Sequence, residues 1–180
     1  LEPERVRVVH NGIELDGFAS PATSVEEPAS PPIVGFLARM CPEKGLTTLV
    51  DAFVELKRRD SVPGLRLVVA GTRVRADEPF VDAQRAKLDA AGCAGDAEFR
   101  PNLERDEKLR FLRSLSVLSV TATYGESFGL YLLEALAAGV PVVQPRHGAF
   151  PEVLAATGGG VLVEPDDATA LADGLEALLR

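Results

Sequence analysis

The residues best suited to chemistry are two cations close together, Arg39 and Lys44, and two acids close together, Glu126 and Glu134. Glu126 opens the stretch Glu126-Ser-Phe-Gly129, and Glu134 comes eight residues later. In the segment FGLYLLEALAAGVPVVQ (128–144), Glu134 is the only charged side chain. A carboxylate among apolar neighbours is costly to bury unless a partner satisfies it. Glu126 stands just before the turn that starts this helical pattern, where free N–H groups and the helix dipole favour an anion. Phe128-Gly129 supplies no strong side-chain cap, which leaves the amides of Gly129 and Leu130 for a phosphate. Acids that grip hydroxyls beside a phosphate imply nucleotide-sugar chemistry. The expected partner of Glu134 is a vicinal diol, as acidic residues hold ribose hydroxyls in other doubly wound folds; an acid at the helix surface, or one paired with a structural arginine, is the alternative reading.

Arg39 and Lys44 lie five residues apart in Ala38-Arg-Met-Cys-Pro-Glu-Lys44-Gly45. A loop of this kind can turn both cations toward one point, the arginine as a fork for a diphosphate and the lysine as a compact charge. Two solvated surface cations fit the same residues, because the loop is not a Walker-type phosphate loop. His147, beside Arg146, is read as a solvent-facing loop residue rather than a catalytic one, His10 as part of a turn, and Cys41 as a small apolar filler. No cluster has metal-ligand spacing and there is no Asp-x-Asp, so no metal cofactor is expected; two cations can take the role that a divalent ion plays elsewhere.

The elements that must position these residues are legible as a pattern. Short apolar runs recur at 33–38, 65–70, 117–120, 140–143 and 161–163, with a weaker one at 97–99. Strands apolar on both faces belong to a parallel sheet covered by helices on both sides. Leu46, Leu49, Val50 and Phe53 keep a helical spacing, as do Leu171, Leu175 and Leu178, with Asp166 or Asp167 placed to cap the last helix. The alternation specifies βαβ units and an α/β fold: an open, doubly wound, Rossmann-like parallel sheet, in which ligands bind beyond the carboxyl ends of the strands. Residues 5–9 (RVRVV) suit a short strand, His10-Asn-Gly12 a turn, and the Pro/Ser/Ala-rich stretch 19–32 a linker. The division expected is therefore 1–32 as an interdomain segment and linker and 33–180 as the binding domain.

Bulk properties narrow the classes. At 180 residues with 46% hydrophobic side chains the chain can bury a substantial core. A net charge of −8 argues against a nucleic-acid binder that works through a basic face. Two cysteines without zinc spacing fit a reducing compartment, so a cytoplasmic protein is expected. The longest apolar run, 128–143, is too short to span a bilayer comfortably and contains Gly139 and Pro141. Starting at Leu1 and stopping at Arg180 inside a helical pattern is what a piece of a longer protein would show.

Taken together, these motifs resemble the C-terminal, donor-binding half of a family-four retaining glycosyltransferase (glycosyl transferases group 1) with the GT-B fold. The resemblance runs nearly end to end, through VVHNGIELDGF (8–18), IVGFLARMCPEKGLTTLVDAF (33–53), LRLVVAGT (65–72), GESFGLYLLEALAAGVPVV (125–143) and HGAFPEVL (147–154). It implies that Arg39 and Lys44 neutralise the donor diphosphate, Glu126 lies near the transferred sugar's hydroxyls, and Glu134 binds the nucleotide ribose. By the same resemblance Phe128, Gly129 and Leu130 form the helix start that receives the phosphate. Gly71-Thr72 and the loop Arg100–Leu103 then contact the base. Three departures stand out: Ala38 where glycine commonly precedes the arginine, Ser127 where glycine or proline is frequent, and Thr121-Ala-Thr123 in place of Pro-Ser, a change expected to bear on donor choice.

The activity that the resemblance implies is metal-independent, retaining transfer from a nucleotide-diphospho-sugar to a glycan, lipid or small-molecule acceptor. The acceptor would be held by an N-terminal domain absent from this chain, so the isolated domain should bind nucleotide without transferring sugar efficiently. A lipid acceptor would bring the whole protein peripherally to a membrane. In a rival mechanism Glu126 is a covalent nucleophile. The alternatives in other classes are a non-catalytic nucleotide-binding module and another GT-B chemistry such as a nucleotide-sugar epimerase.

Overall fold

The computed structural model describes Arg7, residues 9–18 and residues 31–180. The expected linker at 19–32 and the expected strand at 5–9 fall largely outside the described residues. Among the described residues six strands form one parallel sheet: β1 (Ile33–Leu37), β2 (Arg66–Gly71), β3 (Ala97–Pro101), β4 (Val117–Leu118), β5 (Val142–Pro145) and β6 (Gly160–Val163), in the spatial order β3-β2-β1-β4-β5-β6. The chain winds outward from β1 to β3 and then returns to lay β4, β5 and β6 on the opposite side of β1. The order therefore reverses between β1 and β4. In open α/β sheets that reversal opens a crevice at the carboxyl ends of the two strands.

Among the described residues six α-helices cover the sheet: α1 (Leu46–Arg59), α2 (Glu78–Ala90), α3 (Arg105–Arg113), α4 (Leu130–Ala137), α5 (Phe150–Thr157) and α6 (Ala168–Leu179). Strand residues alternate between two cores, which is why the runs read as continuously apolar. Val34, Phe36, Leu67, Val69 and Val143 join Leu49 and Phe53 of α1, Leu88 of α2 and Leu175 of α6. Leu37, Val68, Ala70 and Val142 join Phe111 of α3, Leu132 of α4 and Phe150 of α5. The expected stripe of α1 is wholly buried, and Asp167 caps α6 by accepting from the N–H groups of Thr169 and Ala170 at 2.9 Å. Among the described residues no helix is long and apolar enough to cross a membrane.

Two glycines let the strand-end loops close on one another. Gly45 (φ +72°) precedes α1, and a Cβ there would lie 1.6 Å from the Thr121 carbonyl oxygen. Gly71 (φ +126°) ends β2, and its Cβ would meet the Ala38 carbonyl oxygen at 2.0 Å. Only glycine permits both the positive φ and the close backbone approach.

Candidate functional site

The crevice at the sheet reversal is built from the loop after β1 and the loop after β4, and the backbone stitches them together. Thr121 Oγ1 donates to the Gly45 carbonyl at 2.7 Å, and the Thr123 N–H donates to the Glu43 carbonyl at 3.0 Å. The two threonines that depart from the Pro-Ser pattern are thus the residues that tie the acidic loop to the cationic one.

Across that seam Lys44 and Glu126, 82 residues apart in sequence, pair at 2.5 Å. Lys44 Nζ also donates to Tyr124 Oη at 2.5 Å and lies 5.0 Å from the Tyr124 ring centroid and 5.9 Å from that of Tyr131. Burial alone would lower the lysine's pKa, but the hydrogen bonds to Glu126 and Tyr124 outweigh it, so the ammonium is held above its ordinary value. The Tyr131 hydroxyl donates to the same oxygen of Glu126 at 3.2 Å. Burial first, then the negative charge of Glu126, push that phenol far above its ordinary pKa, so it remains a donor.

Arg39 has a different partner. Its Nε and Nη2 donate to the two carboxylate oxygens of Asp77 at 3.1 and 2.8 Å, and this bond holds the aspartate below its usual range. The two cations expected to converge on one point are therefore each tied to a carboxylate of their own. Arg39 lines a cleft of about 310 Å³ with Gly71, Thr72, Asn102, Tyr131 and Glu134. The base-contact loops expected at Gly71-Thr72 and Arg100–Leu103 meet there: the Asn102 N–H donates to the Gly71 carbonyl at 2.8 Å, and Asn102 Oδ1 accepts from the Arg73 N–H at 3.0 Å.

Glu134, which the sequence pattern assigned to a diol, has a protein partner: Lys108 Nζ of α3 donates to it at 2.7 Å. Its side chain is 17% exposed, so it is buried enough to need that cation while still bordering the cleft. Gly129 (φ +79°) is the N-cap of α4, has no side-chain cap bond, and precedes an exposed Leu130. The amides that would receive a phosphate are therefore not taken by a capping side chain.

Phe128 immediately precedes that helix start, and its ring points away from Arg39's cleft. It lines a second cleft, of about 530 Å³, with His10, Ser127, Leu133 and Val153, and its ring lies 6.3 Å from that of His10. His147 is half-buried rather than solvent-facing: its Nε2 lies 2.8 Å from the Ala122 carbonyl oxygen, which fixes the loop after β5 to the loop after β4. Cys41 is buried, as a filler would be, and burial raises its thiol pKa. Among the described residues no group of three or more His, Cys, Asp or Glu side chains is gathered as metal ligands would be.

Sequence reasoning missed Asp77, Lys108, Tyr124 and Tyr131. A compositional signal existed for the last pair. The chain has only two tyrosines, and both flank Glu126 closely in sequence.

Comparison with known proteins bears on the family and the fold. Residues 22–180 match the family model described as glycosyl transferases group 1. The phosphatidyl-myo-inositol mannosyltransferase of Mycobacterium tuberculosis is 36% identical over 177 residues, covering 96% of this chain and 44% of that protein. The D-inositol 3-phosphate glycosyltransferase of Mycobacterium avium is 31% identical over 184 residues, covering 99% of this chain and 42% of that protein. The chain thus spans less than half the length of these curated relatives. In fold it resembles Anabaena HepE, solved with UDP and glucose, with a TM-score of 0.82 at 20% identity, covering 98% of this chain and 48% of that one. It also resembles the C-terminal domain of a group 1 family protein from Francisella tularensis, with a TM-score of 0.78 at 24% identity, covering 93% of this chain and 88% of that one.

Proposed function

The chain belongs to the glycosyl transferases group 1 family, and on that premise we propose that it is the donor-binding domain of a retaining glycosyltransferase that uses a nucleotide-diphospho-sugar. The observation that carries the reading is the pairing of Lys44 with Glu126 at 2.5 Å, beside the uncapped start of α4 and at the reversal of strand order. A cation, an acid and free amides side by side suit a diphosphate and the sugar attached to it.

In this proposal Arg39, Lys44 and the amides of Gly129 and Leu130 stabilise charge that develops on the departing diphosphate, which is electrostatic catalysis without need of a metal. Glu134 holds the ribose by sharing its carboxylate between Lys108 and the hydroxyls. The leaving phosphate oxygen accepts the acceptor's proton, and the sugar is transferred with retention. Support for this route over a covalent one through Glu126 comes from that carboxylate's engagement by Lys44 and Tyr131, which lowers its nucleophilicity. The relatives name inositol-containing acceptors, and an acceptor of that kind would be bound by a further domain, with the whole protein cytoplasmic and peripheral to a membrane when the acceptor is a lipid.

The test is calorimetric titration of the chain with UDP, ADP and GDP in the absence of added metal. Binding of one of them, abolished by Lys44→Ala, supports the proposal and names the base. Absence of binding by all three refutes it for this domain.

A further inference from the structure

Resting on the donor-domain reading, we propose that Asp77 is a positioning residue for the reaction: it fixes the guanidinium plane of Arg39 so that the remaining N–H groups meet the donor diphosphate as a fork. Asp77 lies at the end of a short turn between β2 and α2, and only 5% of the residue is exposed. Its carboxylate accepts from Arg39 Nε and Nη2 and, through Oδ2, from the Val74 N–H at 3.1 Å. The carboxylate is therefore anchored to its own turn before it holds the arginine.

The two partners are unequally covered. Here the carboxylate is buried and the arginine side chain is 52% exposed, at the edge of the cleft that Glu134 also lines. Of the five N–H donors of a guanidinium, two are spent on Asp77 and three are left in a plane that Asp77 sets. The fork matches carboxylate on one edge and phosphate on another, which a lysine could not do. The arrangement also costs charge. Asp77 cancels the formal charge of Arg39, so what this pair offers an anion is direction.

That cancellation makes the role testable, because charge and positioning predict opposite signs. Asp77→Asn keeps an oxygen for the Val74 N–H but loses the two-oxygen acceptor, and it removes a negative charge near the diphosphate. The experiment titrates the wild-type chain, Asp77→Asn, Arg39→Ala and the double variant with whichever of UDP, ADP and GDP the wild type binds, and with the matching monophosphate, with a thermal melt of each. If Asp77 positions Arg39, Asp77→Asn weakens the diphosphate about tenfold or more, since small displacements of an aligned group are costly. The monophosphate changes much less, and Asp77→Asn adds no further loss in the Arg39→Ala background. Unchanged or tighter diphosphate binding overturns the proposal, as does an equal loss in both backgrounds, which would mark Asp77 as merely structural. A wild type that binds none of the three diphosphates overturns the donor-domain reading instead.

Discussion

Glu126→Gln should tighten the binding of a bare nucleoside diphosphate, although the residue it alters belongs to the site. Lys44 and Glu126 are paired at 2.5 Å with side chains only 20% and 12% exposed, so the pair is poorly screened. A diphosphate must take the ammonium from that carboxylate or share it, and must bring its own negative charge alongside. A hydrogen bond to a charged group is worth about 1.5–3 kcal/mol net. Like charges roughly 6 Å apart repel by about 3 kcal/mol at an effective dielectric near 20. Gln removes the repulsion and weakens the competing bond, and both changes favour the diphosphate. Even if relaxation and solvent cancel most of this, about 1.4 kcal/mol survives, a tenfold gain in affinity. Calorimetry of UDP, ADP or GDP against wild type and Glu126→Gln measures it directly, and the gain should shrink at high salt as screening grows. Unchanged or weaker binding by Glu126→Gln would refute the reasoning, because Lys44 would then not be shared between Glu126 and phosphate.

Other consequences are independent of that one. If Glu134 holds the ribose, the wild type should prefer a ribonucleoside diphosphate to its 2′-deoxy analogue by roughly tenfold, the worth of one charge-assisted bond, and Glu134→Ala should erase the preference rather than merely lower both affinities. Gly45→Ala puts a Cβ 1.6 Å from the Thr121 carbonyl oxygen at a φ of +72°. Its melting temperature should fall by roughly 6–12 °C for about 3 kcal/mol of strain and displacement, and a fall under about 2 °C would show that the two loops are not tightly joined. Glu55 of α1 is held down to about 2 by hydrogen bonds from Arg58 and Arg59. Its depressed pKa contributes stability that is present above the unfolded carboxylate's ordinary value and is lost as pH falls toward 2. The melting temperatures of wild type and Glu55→Gln should therefore differ at pH 6 and converge between about pH 4 and 2.

Much of the fold was legible because its strands are apolar on both faces. All six apolar runs became strands, and the stripes of α1 and α6 became buried faces. The polar helix α3 (RDEKLRFLR) was recognisable only as a gap between strands, since its buried positions are few. β4 pairs over just two residues although the apolar run reads to Val120, because beyond Leu118 side chains enter the bonding to β5: Ser119 Oγ donates to the Val143 carbonyl and the Val120 N–H donates to Gln144 Oε1. Arg39, Lys44 and Glu126 were legible because they stand in loops just beyond the strand runs. Their partners were not. Pairing across 38 residues for Arg39–Asp77, 82 for Lys44–Glu126 and 26 for Lys108–Glu134 depends on which strands become neighbours, and local sequence carries no record of that order. Asp77 and Lys108 were further hidden because each sits among other charged residues, where a solvated surface side chain is the ordinary expectation.

The proposed function requires a nucleoside diphosphate to sit at the carboxyl ends of β1 and β4, between the two carboxylate–cation pairs and the start of α4. Backbone-amide NMR of the labelled chain, titrated with the diphosphate that binds, locates the ligand residue by residue. The largest shifts are predicted at Arg39, Lys44, Thr72, Gly129, Leu130 and Glu134, with little change around Val153 in the second cleft. Shifts concentrated at His10, Val153 and Ala156, with Lys44 and Gly129 unmoved, would contradict that placement.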